Sequence, residues 1–402
     1  MADKLNYKVG MIGALDMLRF KNMPKVREKA IQAASSAPLP KTLTTNEKAK
    51  QRHPEKQEVV VAEIRQNGAD AKTIVLKTED GSALAPFRAG QYISVCVPIG
   101  ETVTTRSYSL CSSPAWAKRG EYNITVKRDD AGFVSPYIQD HWVVGQHVTI
   151  SGPQGHLYYE RLRDAKKVIA LAGGSGITPF MGMAYAIRDG FEDFDLTILF
   201  GSRTEDGIVY KKELDEVCAA CDKVHVVHVL SDEEKPGFEH GFICADLIRE
   251  YAPAGEPYSV FVCGPQGMYR FVDREIEKLG LARKYVRHEL FGEVHDARTQ
   301  DGYPGTDLST VKITVSIRDT TRTVTGSVCD TILQTLEKNG ITVPTSCRSG
   351  ECGFCHSVLK SGQVYVPKAI DGRRLADLKF GGIHPCATFP LSDLEIIVPA
   401  DK

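Results

Sequence analysis

Three cysteines crowd into one nine-residue loop, Cys347-x4-Cys352-x2-Cys355, and a fourth, Cys386, follows after thirty intervening residues. Four thiols in that arrangement confine the surrounding chain to a compact unit built round an inorganic centre. The C-x4-C-x2-C…C spacing is that of a [2Fe–2S] cluster. Cluster iron is soft and its core is anionic, so thiolates suit it. Small residues let backbone N–H groups turn towards the sulfurs and tune the potential. Ser349, Gly350 and Gly353 supply that freedom inside the loop. A four-cysteine zinc site is the competing reading, because zinc also takes thiolates. Zinc ribbons favour two close pairs, whereas here three cysteines share a loop.

The remaining cysteines bear on compartment. Eleven cysteines in 402 residues, with no export signal, argue against a disulfide framework and for a reducing cytoplasm. Met11 to Leu18 is too short for a signal peptide, contains Asp16, and runs into a lysine-rich segment without a cleavage site. No apolar run approaches the ~20 residues of a membrane span. A net charge of −1 gives no reason to expect nucleic acid or an anionic membrane as partner.

A chain of 402 residues exceeds what one core usually holds, so several domains are expected. Residues 1–56 are basic, with a helical pattern broken at Pro24 and then a Ser/Pro/Lys-rich stretch, and read as an extension plus linker. A docking arm, a dimer clasp and a membrane-surface helix are open readings there, with an amphipathic helix packed on the interior as the default. Over 57–160 short β-branched runs alternate with turn residues, which predicts an antiparallel β-barrel. Over 161–292 largely apolar strands alternate with helical patterns, which predicts a doubly wound α/β domain with a parallel sheet. Residues 293–310 lack periodicity and read as a linker. Residues 311–402 form a third unit, of α+β type, around the four cysteines.

Two motifs make a resemblance specific. Arg106-Ser107-Tyr108-Ser109 matches the flavin motif Arg-x-Tyr-Ser, and Gly132-Phe133-Val134-Ser135 occupies the place of Gly-x-x-Ser/Thr. Residues 57–292 resemble the ferredoxin–NADP reductase-like superfamily, and 311–402 resemble a plant-type ferredoxin with its β-grasp fold. The fusion order is similar to that of bacterial reductases that feed oxygenases and hydroxylases. The resemblance implies that Arg106 meets the flavin phosphate, Tyr108 stacks near the isoalloxazine, and Ser109 lies by its reactive nitrogen. It also implies that Gly132, Val134 and Ser135 receive the pyrophosphate of FAD, with Lys127 and Arg128 as candidate cations. FMN is the alternative flavin, since related reductases use it; a second anion nest at Gly132–Ser135 favours FAD. Gly152-Pro153-Gln154-Gly155 reads as a structural turn.

Gly173-Gly174-Ser175-Gly176-Ile177-Thr178-Pro179 follows the first strand of the α/β domain and opens a helix. Glycines admit a pyrophosphate, the helix start offers free N–H groups, and Pro179 suits a first turn. The stretch resembles the superfamily's nicotinamide-domain loop and differs from an ordinary Gly-x-Gly-x-x-Gly fingerprint. Cys263-Gly264-Pro265 ends the last clear strand and, by the same resemblance, places the nicotinamide against the flavin. Glu289 and Phe291 fall where the family has an acidic proton-relay partner and an aromatic flavin shield. In NADPH-using relatives a Ser-Arg pair follows the third strand. Here Ser231 is followed by Asp232, which favours NADH, while Ser202 and Arg203 keep NADPH open.

The function implied is an oxidoreductase passing electrons from NAD(P)H through FAD and a [2Fe–2S] cluster to a one-electron acceptor protein, such as an oxygenase, hydroxylase or other metalloprotein. An electron-relay subunit of a larger complex and a redox-sensing cluster protein are the rival classes. Cys218 and Cys221 read as helix packing, Cys96, Cys111, Cys244 and Cys329 as core, and His384 as a plain loop residue.

Overall fold

The computed structural model describes residues 11–34, 36, 42–100, 102–130, 132–290, 294 and 296–399. Residues up to Ala49 form one unit and those from Lys50 onward a second. The first carries helix α1 (Met11–Ala33) and most of α2 (Thr44–Arg52). Helix α1 runs through Pro24, where the sequence predicted a break. The lysines, arginines, glutamate and alanines around it are strong helix formers and carry the helix across the lost hydrogen bond. Interior packing is not observed: Leu15, Phe20 and Val26 are exposed. The apolar residues of α1 are spread round the helix and make no single stripe that a core would cover.

The second unit begins with an antiparallel sheet curled as a half-barrel. Its strands are β1 (Gln57–Gln66), β2 (Ala71–Lys77), β3 (Tyr92–Ile99), β4 (Thr102–Ser109), β5 (Glu121–Lys127) and β6 (His147–Ile150), in the order β4-β3-β6-β1-β2-β5. Alternating residues such as Val59, Val61, Ile93, Val95 and Val97 turn inward to one core. That alternation leaves the opposite side chains of β4 available to other partners. Helix α3 (Ser135–His141) closes one end of this sheet's core with Ile138.

A parallel sheet follows, with β7 (Lys167–Gly173), β8 (Asp195–Ser202), β9 (Val224–Leu230), β10 (Glu239–His240), β11 (Tyr258–Gly264) and β12 (Val286–Leu290), in the order β10-β9-β8-β7-β11-β12. Helices α4 (Thr178–Arg188), α5 (Lys211–Ala220), α6 (Ala245–Tyr251) and α7 (Gln266–Glu277) connect them. Two apolar cores flank the sheet, as two-sided burial of its strands requires. The chain leaves β7 towards β8 on one side and later returns to β11 on the other. The strand order therefore switches direction between β7 and β11, the place where open α/β sheets bind ligands.

The last part is a five-stranded sheet in the order β14-β13-β19-β15-β17. Its elements in chain order are β13 (Thr310–Ile317), β14 (Thr320–Ser327), α8 (Ile332–Lys338), β15 (Ser357–Ser361), β16 (Val364–Tyr365), α9 (Leu375–Lys379), β17 (Gly382–Ile383), β18 (Phe389–Pro390) and β19 (Leu394–Val398). Helix α8 starts in a capping box, Gln334 N–H on Thr331 Oγ1 and Thr331 N–H on Gln334 Oε1. Its Leu333 and Leu336 meet Ile313, Val315 and Phe389 beneath the sheet, in a β-grasp arrangement. The stretch 293–310 is more than a spacer, since Val294 and Ala297 enter this core. Among the described residues no helix is long and apolar enough to cross a membrane.

Candidate functional site

The loop after α8 and the turn at Cys386 place the four predicted cysteines in two pairs, and among the described residues no three or more such side chains close on a single ion. Cys355 Sγ lies 3.4 Å from Cys386 Sγ. Cys347 and Cys352 form the other pair: Cys352 N–H points at Cys347 Sγ at 3.3 Å, and Cys347 N–H at Cys352 Sγ at 3.5 Å. Ser349 N–H adds a further contact to Cys347 Sγ at 3.5 Å. The hydrogen bond from Cys352, opposed by burial and helped by the backbone N–H groups of Cys352 and Ser349, draws the Cys347 thiol down to about 5. Two sulfurs on one tetrahedral metal with bonds of ~2.3 Å stand about 3.7 Å apart. Two such pairs suit two irons better than a single ion. The buried hydroxyl of Ser349 has no partner among the described residues, which fits a loop shaped round a further group. Gly350 needs its positive φ and its bare Cα, because a Cβ there would fall 2.2 Å from the Ile370 carbonyl oxygen. His384, expected to be a plain loop residue, is buried, with Nδ1 2.6 Å from the Gly350 carbonyl oxygen. It props the cluster loop.

The flavin motif lies on β4, at the edge of the half-barrel. Ser109 pairs across the ladder with Tyr92 of β3. Tyr92 exchanges backbone hydrogen bonds with Gln154, at 2.9 and 2.8 Å, and the next residue is the left-handed Gly155 (φ 100°). A Cβ on Gly155 would fall 2.8 Å from the Tyr92 ring and 3.0 Å from Glu289 Oε1. Burial raises the Tyr92 phenol strongly, with Cys347 and Cys352 next among the causes. The Tyr92 ring and the Glu289 carboxyl thus crowd the same side of Gly155. Gly132 and Ser135 fold back on Asp129: Gly132 N–H meets the Asp129 carbonyl at 2.8 Å, and Ser135 Oγ accepts from Asp129 N–H at 3.1 Å. Val134 is buried beneath this turn.

The nicotinamide motifs meet at the switch between β7 and β11. After Gly173 a short 3-10 turn (Gly174–Ile177) leads into α4, with Pro179 in its first turn. Thr178 Oγ1 donates to the Ser175 carbonyl, 2.9 Å. A Cβ on Gly176 would fall 2.1 Å from the Cys263 carbonyl oxygen, so only glycine admits this approach. Gly173 and Gly264 close the same seam, and a Cβ on Gly173 would fall 3.0 Å from Pro265 Cδ. Lys127 Nζ reaches to within 3.7 Å of the Cβ position of Gly174, which brings a barrel cation to the glycine loop. Burial raises the Cys263 thiol well above its ordinary range. Cys263 pairs with Glu289 across β11 and β12. Glu289 is buried, its Oε2 has no partner among the described residues, and burial followed by the Glu351 charge raises its carboxyl well above the ordinary range. Tyr269 fixes this corner by accepting from Gly264 N–H at 3.0 Å and donating to the Glu289 carbonyl. Phe291 lies outside the described residues.

Ser202 ends β8 with its hydroxyl buried and without a partner among the described residues. Arg203 is exposed beside it. Asp232 N–H bonds the Arg203 carbonyl at 3.0 Å, and Asp232 Oδ1 accepts from Ser231 Oγ at 2.6 Å. The acidic and basic candidates for reading the ribose thus lie side by side, in the loops after β8 and β9.

Sequence reasoning missed a polar seam between the half-barrel and the cluster loop. Ser107 Oγ donates to the Ser346 carbonyl at 2.8 Å, and Ser346 Oγ lies 2.8 Å from Ser94 Oγ. Ser346 Oγ also donates to Gln154 Oε1 at 2.5 Å, and Thr105 meets Thr345 at the same distance. Arg348, buried and left-handed (φ 57°), forms a two-pronged pair with Glu337 of α8 at 2.8 and 2.7 Å. Ser107 was read as part of the flavin motif, and its hydroxyl turns to Ser346 instead; Ser94, Thr105, Thr345 and Ser346 belong to no motif. The one available signal was their density at the Arg-x-Tyr-Ser strand and beside Cys347.

Three families match the chain in order: the oxidoreductase FAD-binding domain over residues 58–159, the oxidoreductase NAD-binding domain over 170–274, and the 2Fe-2S iron-sulfur cluster binding domain over 315–391. Tetrachlorobenzoquinone reductase of Sphingobium chlorophenolicum is 31% identical over 76% of this chain and 87% of its own length. The ferredoxin reductase component of 3-ketosteroid-9-alpha-monooxygenase of Mycolicibacterium smegmatis is 28% identical over 84% of this chain and 95% of its own. Among solved structures, phthalate dioxygenase reductase superposes with a TM-score of 0.62 at 26% identity, covering 86% of this chain and 98% of that one.

Proposed function

Because this chain belongs to the family of ferredoxin–NADP reductase-like flavoproteins fused to a C-terminal plant-type [2Fe–2S] domain, we infer that it is the reductase component of an oxygenase system. It takes electrons from NAD(P)H through FAD and the cluster and hands them to a one-electron acceptor protein. When bound, the flavin accepts a hydride and the cluster carries single electrons onward. The observation that carries the reading is the convergence of Ser109, Tyr92, Glu289, Cys263 and the cysteine loop on one corner of the molecule.

Each group then has a part to play. Arg106 supplies a cation for the flavin phosphate, Tyr108 an aromatic plane and Ser109 a hydroxyl for the reactive edge. Gly132, Val134 and Ser135 shape the turn for a second phosphate. Gly173, Gly174, Ser175, Gly176 and Thr178 form a narrow backbone cradle for the nicotinamide dinucleotide, with Gly264 and Pro265 as its facing wall. Cys263 is a buried, protonated wall of the hydride site, not a nucleophile. Glu289, held protonated by burial, is placed to keep or yield a proton at Oε2. Cys347, Cys352, Cys355 and Cys386 are the iron ligands. The segments 57–160, 161–292 and 311–402 are the three working modules. Eleven cysteines, none joined in a disulfide among the described residues, favour the reducing cytoplasm.

Asp232 favours NADH, since a carboxylate accepts a hydrogen bond from a free ribose hydroxyl and repels a 2′-phosphate. Comparing kcat/KM for NADH and NADPH tests this, and a clear NADPH preference would reassign the site to Arg203 and Ser202. The whole reading is tested by anaerobic titration with NADH, followed by absorbance and EPR. A bleached flavin with no reduced [2Fe–2S] signal would break it.

A further inference from the structure

Strand β4 touches two sites at once. One of its residues, Thr104, is almost wholly buried where they meet. Its Oγ1 accepts from Arg106 Nη1 at 2.8 Å and donates to Glu337 Oε1 at 2.9 Å. Arg348 Nη1 approaches the same hydroxyl at 3.3 Å while pairing with Glu337. A hydroxyl has one donor and two acceptor sites, so all three are used. Glu337 and Arg348 are both buried, which makes the geometry of their pair sensitive to any change in its third partner. Arg348 directly follows Cys347, and its left-handed backbone is the bend that turns the loop over the cluster site.

We propose that Thr104 is a positioning residue that couples flavin binding to the geometry of the iron–sulfur loop, through Arg106 on one side and the Glu337–Arg348 pair on the other. The inference rests on the reading of Arg106 as the phosphate ligand. An anion that fixes Arg106 fixes the orientation of the Thr104 hydroxyl, and with it the carboxylate that clamps Arg348. Linkage then runs both ways: whatever loosens the clamp weakens flavin binding, and loss of flavin relaxes the loop.

The test uses the full chain with its cluster, stripped of flavin and titrated with FAD. FAD affinity is read by fluorescence quenching and the cluster environment by visible circular dichroism. Thr104→Val keeps the shape and removes the hydroxyl, and Thr104→Ser restores it. The expected result is roughly tenfold weaker FAD binding in the valine variant. The cluster dichroism should respond to FAD in the wild type and the serine variant and stay unresponsive in the valine variant. A valine variant that binds FAD normally, with a normal dichroic response, overturns the coupling. Arg106→Ala separates the two layers. If it leaves FAD affinity unchanged, the phosphate assignment falls and the coupling with it. If it weakens FAD binding while Thr104→Val does not, only the coupling falls.

Discussion

Ser107 donates its hydroxyl hydrogen to the carbonyl oxygen of Ser346 at 2.8 Å, and that carbonyl opens the peptide leading into Cys347. The second residue of the Arg-x-Tyr-Ser motif thus touches the chain at the first of the four clustered cysteines. Its neighbours Arg106 and Tyr108 point the other way along the strand.

Ser107→Ala should slow electron passage from flavin to cluster by about tenfold, the scale of one lost buried hydrogen bond. Flavin content should stay at the wild-type level. Stopped-flow absorbance, separating flavin reduction from cluster reduction, checks both halves. A slowed first phase would instead place the serine at the hydride step.

Gly155→Ala should destabilise the chain by about 1–3 kcal/mol. The new Cβ would meet the Tyr92 ring in a backbone conformation that alanine resists. Because the Tyr92 ring and the Glu289 carboxyl both crowd that position, and Tyr92 pairs with Ser109, flavin retention should fall along with the melting temperature. Differential scanning calorimetry with the visible spectrum of the purified variant reads the two together.

Glu289 has its carboxyl raised far above the ordinary value by burial. In the unfolded chain it ionises near 4.5, while in the fold it keeps its proton. The unfolded state therefore binds fewer protons, and this group's contribution to stability falls as pH rises above that value. Glu289→Gln should remove that part of the slope, leaving a flatter urea midpoint from pH 5 to 8. If the proton is used in the reaction, the variant should also flatten the pH profile of kcat.

His228 gives the opposite sign. Both ring nitrogens are buried without partners among the described residues, between Phe200 and Phe238, and burial lowers its basicity. The unfolded state takes up a proton near 6.5 while the fold resists, so stability is kept above that pH and lost below it. His228→Phe should be at least as stable as the wild type at pH 7.5 and lose less on acidification to pH 5.5, measured by urea denaturation at both values.

The features legible in the sequence were those that local chemistry writes into neighbouring residues. The three-cysteine loop, the glycines after β7 and the Arg-x-Tyr-Ser strand each had a reason visible within a dozen positions, while Cys386 and the change from short barrel strands to buried parallel ones needed a longer window. Tyr92, Gln154 and Gly155 were illegible because their role depends on Glu289 and the cysteine loop, far along the chain. Gly155 did signal a turn, and the turn is real, but its reason is the close approach of Tyr92 rather than chain reversal alone. His384 and Glu337 looked like ordinary polar residues because burial gives them their meaning, and burial is a property of the assembled fold. The exposed helix α1 went astray differently: interior packing was assumed where its residues form no stripe.

The seam has a consequence for how the chain is made. Thr104 and Glu337 are 233 residues apart and Ser94 and Ser346 are 252 apart, whereas β1 and β2 are joined by a short turn. During synthesis the half-barrel and the parallel sheet can mature from contacts already at hand, while the seam waits for the final stretch to emerge. Until then the hydroxyls of β4 face water, which satisfies them as well as Ser346 and Glu337 later do. An edge lined with serine and threonine can wait in that state without becoming sticky, as an apolar edge could not.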